Sequence, residues 1–199
     1  AKVEKVVKEG NWPANTVLIV NKLSKYSHRK SIDQISFIVQ RGQCFGILGL
    51  KGSAKSDLLT ILAGQSTFDE GNFYLNKFDK KKGNGGPFKH VVGMSYAPQH
   101  NAYHEMLTVK EMLLMMAKVR GVKQRCFLQE IRRVAQIFKL QADLNTVGDN
   151  LSAFAKRSVT LAMAFIGGPQ LVLIDEPTHQ VRHLLAYYAM LVVHWNCYI

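Results

Sequence analysis

The sequence feature that most constrains the fold is a continuously apolar run that leads into a turn rich in glycine and lysine. The run is CFGILGL at residues 44–50, the turn continues as KGSAKS, and a helix-forming stretch at 56–63 should end at Gly64. An apolar run without alternation is typical of a strand buried on both faces of a parallel sheet. A buried strand, a glycine-rich turn and a helix in this order predict an α/β fold.

The turn nearly matches the phosphate-loop pattern G-x-x-x-x-G-K-[ST]. Gly49, Lys55 and Ser56 fit the pattern, whereas Ala54 stands where the second glycine belongs. Such a loop aims backbone N–H groups at phosphate oxygens at the start of a helix. Lys55 would neutralise the outer phosphates, and the Ser56 hydroxyl would ligate Mg²⁺. If position 54 needs a positive φ, a Cβ there costs about 1–2 kcal/mol.

A second apolar run, LVLI at residues 171–174, ends in the two carboxylates Asp175 and Glu176. A phosphoryl-transfer site needs one acid to hold Mg²⁺, and a second acid can polarise the attacking water. Asp175 fits the first role and Glu176 the second. A strand that ends in acids is common by itself, but its pairing with the earlier loop favours a nucleotide site.

The rest of the chain is predicted to consist of strands that flank a helical insert. Strands are predicted at residues 17–23, at 32–39 before a turn on Arg41 and Gly42, at 71–79 and at 91–98. Helical patterns cover 108–140, with a break at Gly121, and 152–166. These elements predict a single domain over residues 1–199, with a lead-in at 1–16, a core at 17–100 and 166–199, and a helical subdomain at 101–165.

One part of the helical insert is predicted to be amphipathic, because apolar residues recur there every three or four positions. The predicted buried face comprises Leu128, Ile131, Ala135 and Phe138. The predicted solvent face comprises Glu130, Arg132, Arg133 and Lys139.

Composition narrows the class of protein further. The net charge of +12 raises nucleic acid or anionic lipid as partners, but the basic residues are spread out and form no zinc-finger, RNP or recognition-helix pattern. Three cysteines, none near another in sequence, suggest neither a disulfide framework nor a metal site. No apolar run is long enough to span a bilayer, and the first ten residues have no signal-peptide core, so we expect a soluble chain.

The two motifs resemble those of the ATP-binding cassette of ABC transporters. LVLIDEPT resembles the Walker B segment, and RGQCFGILGLKGSAKS resembles the approach to Walker A. AMAFIGGPQLVLIDEPT closely resembles the A subfamily, the lipid-exporter branch. The resemblance runs from about Glu4 to Thr178 and is strongest to the second cassette of such transporters. It implies a P-loop NTPase core with a helical insert.

The resemblance also implies residue roles, with ATP and Mg²⁺ as cofactors. Tyr26 matches the aromatic residue that stacks on adenine, and Gln99 matches the glutamine that touches Mg²⁺ and couples to the membrane domain. Asp175 and Glu176 match the magnesium-site acid and the catalytic glutamate. The phosphates would be bound by the loop residues Gly49, Leu50, Lys51, Gly52, Ser53, Ala54, Lys55 and Ser56.

Several departures from the family pattern put hydrolysis in doubt. The signature L-S-G-G-Q is replaced by Leu151, Ser152, Ala153, Phe154 and Ala155. Its glycines would let a helix N-terminus approach the γ-phosphate of ATP held by the opposite cassette, and Phe154 places a ring in that path. After Thr178 the aspartate of the D-loop is missing, and His194 does not have the context of a switch histidine.

The sequence therefore predicts a divergent cassette on the cytosolic face of a membrane. Its partners would be a second cassette and membrane-spanning domains, and ATP would be coupled to lipid movement, with low hydrolytic activity. The alternative is a degenerate, non-hydrolytic cassette with a regulatory or structural role. A basic nucleic-acid-binding protein is a third and weaker possibility, which salt-dependent binding to DNA or RNA would reveal.

Overall fold

The computed structural model describes residues 2–10, 12–13, 15–26, 32–50, 52–75, 78–79 and 93–177. The chain divides into two compact units, residues 1–91 and 92–199, which are described separately below. The division into core and helical subdomain stays a prediction. Residues 80–92, which include the first two positions of the strand predicted at 91–98, and everything after Pro177, including Thr178 and His194, lie outside the described residues.

The first unit is built on an antiparallel sheet whose centre is strand β1, Thr16–Lys25. It pairs on one side with β2, Ile32–Gln40, and on the other with β3, Glu70–Leu75. A short strand, β4, Phe78–Asp79, extends the sheet to the order β2-β1-β3-β4. Residues 17–20 of β1 are all buried. The predicted strands at 17–23 and 32–39 are confirmed, as is the turn at Arg41 and Gly42.

The lead-in contains helix α1, Lys2–Glu9, which contacts β1 and β2. Glu4 forms an ion pair with Lys22 of β1, where the strand is irregular and Lys22 has a positive φ of 47°. Gly71 of β3 comes so close that a Cβ there would lie 2.0 Å from the Lys22 carbonyl oxygen. Only glycine therefore fits at that contact.

Two strand predictions in the first unit are wrong. The run CFGILGL forms no strand, and Leu48 is 96% exposed. A buried parallel strand needs hydrogen-bonded neighbours, and the ladders described in this unit are all antiparallel ones among β1 to β4. The stretch 71–79 is not one strand but a hairpin, because Leu75 pairs with Phe78 and Tyr74 with Asp79.

The helix after the glycine-rich turn is confirmed. Helix α2, Lys55–Leu62, buries Leu58, Leu59, Ile61 and Leu62. The chain leaves the helix through Gly64, whose φ of 76° is in the left-handed region that glycine adopts without strain. The predicted end of the helix is therefore correct.

Over its described residues, 93–177, the second unit pairs two parallel strands with three helices. Strand β5, Met94–Ala97, runs parallel to β6, Leu171–Ile174, which confirms the predicted strand before the acids. The helices are α3, Val109–Val119, α4, Phe127–Ile137, and α5, Ala153–Phe165. Single 3-10 turns lie at Gln124–Cys126 and Gly148–Asn150. One apolar core joins both strands and all three helices.

The helix break predicted at Gly121 is confirmed, and α3 begins with a capping box that the sequence analysis did not identify. Thr108 caps α3 in a reciprocal box with Glu111, and Gly121, at φ 72°, separates α3 from α4. On α4 the predicted buried face is confirmed at three positions and wrong at Leu128, which is 57% exposed. Leu128 lies in the first turn of α4, and Val134 is buried as part of the core instead. Among the described helices, none has the length and apolar content that crossing a membrane requires.

Candidate nucleotide site

The glycine-rich turn of the first unit is folded around the ammonium group of Lys55. Its Nζ donates to the carbonyl oxygens of Gly49 at 2.9 Å and Leu50 at 2.8 Å, and to Ser53 Oγ at 3.3 Å. The Ser53 N–H closes the turn onto the Leu50 carbonyl at 3.1 Å. Lys51 lies outside the described residues. The loop is therefore a compact ring of backbone at the start of α2, with the positive charge at its centre.

Ala54 adopts a positive φ, the conformation in which the sequence analysis expected its Cβ to be unfavourable. It is the N-cap of α2 and has φ 57° and ψ 19°, in the left-handed region. A Cβ in this region costs about 1–2 kcal/mol relative to glycine. The methyl group is buried, and it offers no polar atom to cap the first turn of the helix.

The other two glycines of the loop, Gly49 and Gly52, are favoured at their positions for different structural reasons. Gly52 has a φ of 89°, which other residues rarely adopt. At Gly49 a Cβ would lie 2.6 Å from Ser53 Oγ, so a side chain there would push the turn open. Ser56 follows in the first turn of α2 and is exposed. Three residues of the loop, Gly49, Gly52 and Ala54, thus have conformations or contacts that favour glycine, although alanine occupies one of these positions.

A second group of predicted residues meets in the other unit, at the carboxyl ends of β5 and β6. Gln99 Nε2 donates to Glu176 Oε2 at 3.1 Å. Asp175 is buried, and its N–H continues the parallel ladder by donating to the Ala97 carbonyl at 2.9 Å. Glu176 is exposed and has a φ of 43°. The structure therefore brings three of the predicted site residues together on two adjacent loops.

Burial and the charge of Asp175 both affect the pKa of Tyr96 on β5. Burial raises the pKa of the Tyr96 hydroxyl above its ordinary value, and the negative charge of Asp175 raises it further. The positive charge of Arg157 acts in the opposite direction. Both charges therefore act on the Tyr96 hydroxyl, which stays protonated at neutral pH.

The residue that sequence reasoning missed is Arg157 of α5. Its side chain is 0% exposed, and its guanidinium donates to main-chain carbonyls on both loops. The sequence did contain a signal for this burial, because Arg157 falls on the apolar face of the predicted helix. Leu161 and Ala164, four and seven residues further on, lie on the same face and are buried. The sequence interpretation grouped Arg157 with the dispersed basic residues.

The degenerate signature forms the start of α5. Ser152 is the N-cap, and its Oγ accepts a hydrogen bond from the Ala155 N–H at 3.2 Å. Ala153 is exposed, and Phe154 is half-buried and packs against the core of the unit. Leu151 and Ala155 are buried. The ring of Phe154 is thus held by partial burial at the helix N-terminus.

Tyr26 lies at the end of β1 in the first unit. Its ring is largely exposed. Its N–H donates to Asp69 Oδ2 at 2.7 Å, and its hydroxyl donates to Glu70 Oε2 at 3.4 Å. An exposed aromatic face anchored at both ends is suited to stacking on a flat ring.

Comparison with known proteins was made at the level of families, sequences and structures. The family profile described as "ABC transporter" matches residues 32–179. The phospholipid-transporting ATPase ABCA3 of Mus musculus is 32% identical over 168 residues, which is 82% of this chain and 10% of that protein. ATP-binding cassette sub-family A member 10 of Homo sapiens is 31% identical over 89% of this chain and 11% of its own length. The ABC transporter ced-7 of Caenorhabditis elegans is 32% identical over 83% of this chain.

Two solved structures share the fold. An ATP-binding subunit of an ABC transporter superposes with a TM-score of 0.78 and 23% identity, over 92% of this chain and 75% of that one. An ATP-binding cassette of an ABC transporter in its ADP conformation gives a TM-score of 0.74 and 22% identity, over 92% and 77%. These likenesses confirm the predicted α/β P-loop NTPase fold. This chain spans about a tenth of the length of the curated relatives it matches. It belongs to the ABC transporter family, as an ATP-binding cassette of the A subfamily.

Proposed function

We propose that this cassette binds Mg-ATP through residues 49–56 and couples nucleotide binding to lipid movement by a membrane transporter. The observation that carries the proposal is the loop wound around Lys55 Nζ at the start of α2. An anion placed at this helix end meets backbone N–H groups, a favourable helix dipole and a lysine charge. A triphosphate is the ligand that uses all three features.

The residues present fit the outer phosphates and their metal. Ala54 has no side-chain oxygen to cap the first-turn N–H groups of α2, which supports their use in binding a phosphate. The oxygens of Ser56, Asp175 and Gln99 are of the kind that ligates Mg²⁺. When bound, Mg²⁺ would neutralise charge that develops on the phosphates. Gln99 donates its Nε2 to Glu176, which fixes the orientation of the amide, and the other end of the amide is an oxygen, the atom type that ligates Mg²⁺.

Glu176 is the proposed base for the attacking water, and Tyr26 the proposed platform for adenine. Glu176 is exposed, as a group that must contact water and nucleotide needs to be. The Gln99 amide donates to its carboxylate and so orients this group. We expect turnover to be slow, because the loop carries strain at Ala54 and the signature carries Phe154.

The partners follow from the relatives. ABCA3 is named a phospholipid-transporting ATPase, which supports a lipid as the transported substrate and membrane-spanning domains as one partner. The second proposed partner is another cassette, which would face the signature of this one with ATP between them. In this arrangement residues 17–100 and 166–199 form the core, 101–165 the helical subdomain, and the cassette lies on the cytosolic side.

A second candidate function is supported by a separate observation. Ala54 is strained and Phe154 stands at the start of the signature helix, so both halves of a composite site are altered. A cassette of this kind could bind nucleotide without hydrolysing it and act as a regulatory or structural subunit. Nucleotide binding is common to both candidates, and turnover with a paired cassette separates them.

The test of the proposal is a titration of the chain with fluorescent Mg-ATP. Lys55→Ala should weaken binding at least tenfold, because it removes a charge-assisted contact worth about 1.5–3 kcal/mol. Lys123→Ala, which removes an exposed lysine of the second unit, is the matched control for the loss of one charge and should leave the affinity unchanged. Equal affinities for the chain and Lys55→Ala would refute the assignment of the loop.

A further inference from the structure

We infer that Arg157 is a positioning residue that joins the loop after β5 to the loop after β6, and thereby places Gln99 against Glu176. The inference rests on the proposed function, because it concerns the residues proposed to act on ATP. It goes beyond that function because Arg157 is not among the residues proposed to bind ATP or Mg²⁺. It acts through the backbone of the two loops.

The contacts of Arg157 are divided between the two loops. Toward the loop after β5, Nη1 donates to the carbonyl oxygens of Pro98 at 2.6 Å and Gln99 at 3.3 Å. Toward the loop after β6, Nη2 donates to the carbonyls of Asp175 and Glu176, both at 2.8 Å. Nε completes the set with the Pro177 carbonyl at 3.2 Å. One planar group thus spans both loops.

The shape of the guanidinium explains why arginine stands here. Its donors point outward in one rigid plane, so a single side chain can reach acceptors on two sides at once. A lysine would keep the charge but would offer donors from one nitrogen only. Full burial makes the bonds obligatory, because a buried cation without acceptors would be strongly unfavourable. The two loops are therefore constrained by the same group.

The loop after β6 needs such a constraint because Glu176 is in a strained conformation. Its φ of 43° is in the left-handed region, which a non-glycine residue keeps only when its surroundings enforce it. Two contacts enforce it here. The Asp175 N–H is bonded to the Ala97 carbonyl just before the strained residue, and Arg157 holds the carbonyl of Glu176 itself. Strain of this kind at Glu176, the proposed base, indicates that the surrounding contacts hold this residue in place.

Arg157 also ties both loops to the helix that begins at the signature. Thr160, on the next turn of α5, accepts a hydrogen bond from the Ala102 N–H at 3.1 Å, shortly after Gln99 in the chain. The stretch from Pro98 to Ala102 is therefore bonded to α5 at two levels. A displacement of α5 would be transmitted to Gln99 and Glu176 together, which links the signature to the proposed base within one unit.

Arg120 of the same unit provides a matched control. It is a partly buried arginine that donates to the Met94 carbonyl at 2.9 Å and to Ser95 Oγ, at the opposite end of β5. Burial lowers the pKa of its guanidinium from the ordinary value. The hydrogen bonds of its side chain go to the strand and not to the loops. Replacing Arg120 removes an arginine contact to β5 without removing the junction.

The first experiment measures amide hydrogen exchange of the 199-residue chain without nucleotide. Arg157→Met should speed exchange in segments 97–101 and 174–177 together, by about tenfold or more, because local opening releases both loops. Arg120→Met should leave these segments protected, even if it lowers the melting temperature by as much as Arg157→Met does. Arg157→Lys covers the case in which Arg157→Met does not fold, and it should also open at least one loop. Full protection in either Arg157 variant, or equal opening in Arg120→Met, would overturn the inference.

The second experiment is a double-mutant cycle on Mg-ATP affinity. The proposed function makes Glu176 the base that acts on bound ATP, so Glu176→Gln should tighten binding by removing a negative charge that repels the nucleotide. In the Arg157→Met background this gain should shrink, whereas in the Arg120→Met background it should persist. Additive effects of Arg157→Met and Glu176→Gln would contradict a positioning role. If the chain binds no Mg-ATP, the proposed function fails, and hydrogen exchange still decides whether Arg157 joins the loops.

Discussion

Gln99 donates its side-chain amide to the carboxylate of Glu176 across 3.1 Å, although 77 positions separate them in sequence. The two residues follow adjacent parallel strands, so the fold brings their loops to one edge. A carboxylate that is fixed by an amide is oriented for a defined contact. The pair therefore supports a proposed site at which a metal ligand and a base are held in register.

Hydrolysis by this chain alone is expected to be undetectable or very slow. The proposed site is composite and would need the signature of a second cassette, and the loop here carries a strained alanine. Any residual phosphate release should fall about a hundredfold or more in Glu176→Gln, the usual contribution of a general base. A steady-state phosphate assay measures it, with Glu105→Gln as an exposed control. A rate like that of an intact cassette would show this expectation to be wrong.

Ala54→Gly should stabilise the chain and strengthen Mg-ATP binding. The substitution relieves a φ of 57°, worth about 1–2 kcal/mol, and the loss of a buried methyl group offsets part of this gain. Chemical unfolding and nucleotide titration measure the two effects. Asn15→Gly relieves another positive φ, 64°, outside the loop and should leave affinity unchanged. Unchanged affinity in Ala54→Gly would mean that the loop does not contact the phosphates.

The elements that the sequence predicted well are those whose local signals agree with their surroundings. Residues 17–20 of strand β1 are a continuous apolar run and are buried, and α5 is capped by Ser152 and ends before Gly167. The motif residues Gln99 and Glu176 were identified from the family pattern, but their hydrogen bond was not, because it depends on which strands pair. Pairing is a long-range property that local pattern does not contain.

The failures have physical causes as well. CFGILGL has the composition of a buried strand, but composition does not supply the neighbouring strands that would pair with it. The hairpin at 70–79 was missed because its turn carries no glycine or proline signal. Arg157 was overlooked because a buried arginine is rare, and only the carbonyls around it reveal its role.

The signature is expected to be the larger defect when this cassette pairs with an intact one. Phe154 lies in the first turn of α5 and packs against the core of the unit, so moving it aside loses packing. Each charge-assisted hydrogen bond lost to the opposite ATP is worth about 1.5–3 kcal/mol, against about 1–2 kcal/mol for Ala54. Restoring the glycines, with Ala153→Gly and Phe154→Gly, should therefore recover more association than Ala54→Gly.

ATP-dependent association with the cassette of ABCA3, measured by light scattering, compares the two repairs. Ala155 is left unchanged, because it is buried and a glutamine there would require repacking. Phe154→Ala is the control that removes the ring without adding a flexible glycine. If Ala54→Gly recovers more association than the signature repair, this ranking is contradicted and the phosphate loop is the main lesion.

Acid should weaken the second unit partly through Glu130 on α4. Burial alone would raise the pKa of Glu130, but hydrogen bonds from Arg133 and the Gly167 N–H, with the charge of Arg133, lower it below 4.5. The folded chain thus binds this proton more weakly than the unfolded chain. The stabilisation is complete above pH 4.5 and is lost as the pH falls through the folded pKa.

Glu130→Gln should therefore lower the free energy of unfolding by about 1–3 kcal/mol at neutral pH. It should also flatten the loss of stability below pH 4.5. Urea unfolding across pH measures both effects, and Glu105→Gln is the exposed control. A pH profile that keeps its full slope in Glu130→Gln would assign the acid sensitivity to other carboxylates.

The most direct test of the account is to locate the nucleotide by amide-resolved NMR during a titration with Mg-ATP. The account predicts that the largest shift changes fall on the backbone amides of residues 52–56, with smaller changes at Gln99 and Glu176. Lys55→Ala should abolish the changes, whereas Lys123→Ala should preserve them. Binding that leaves the amides of residues 52–56 unshifted, with the largest changes elsewhere, would contradict the claim that this loop holds the phosphates.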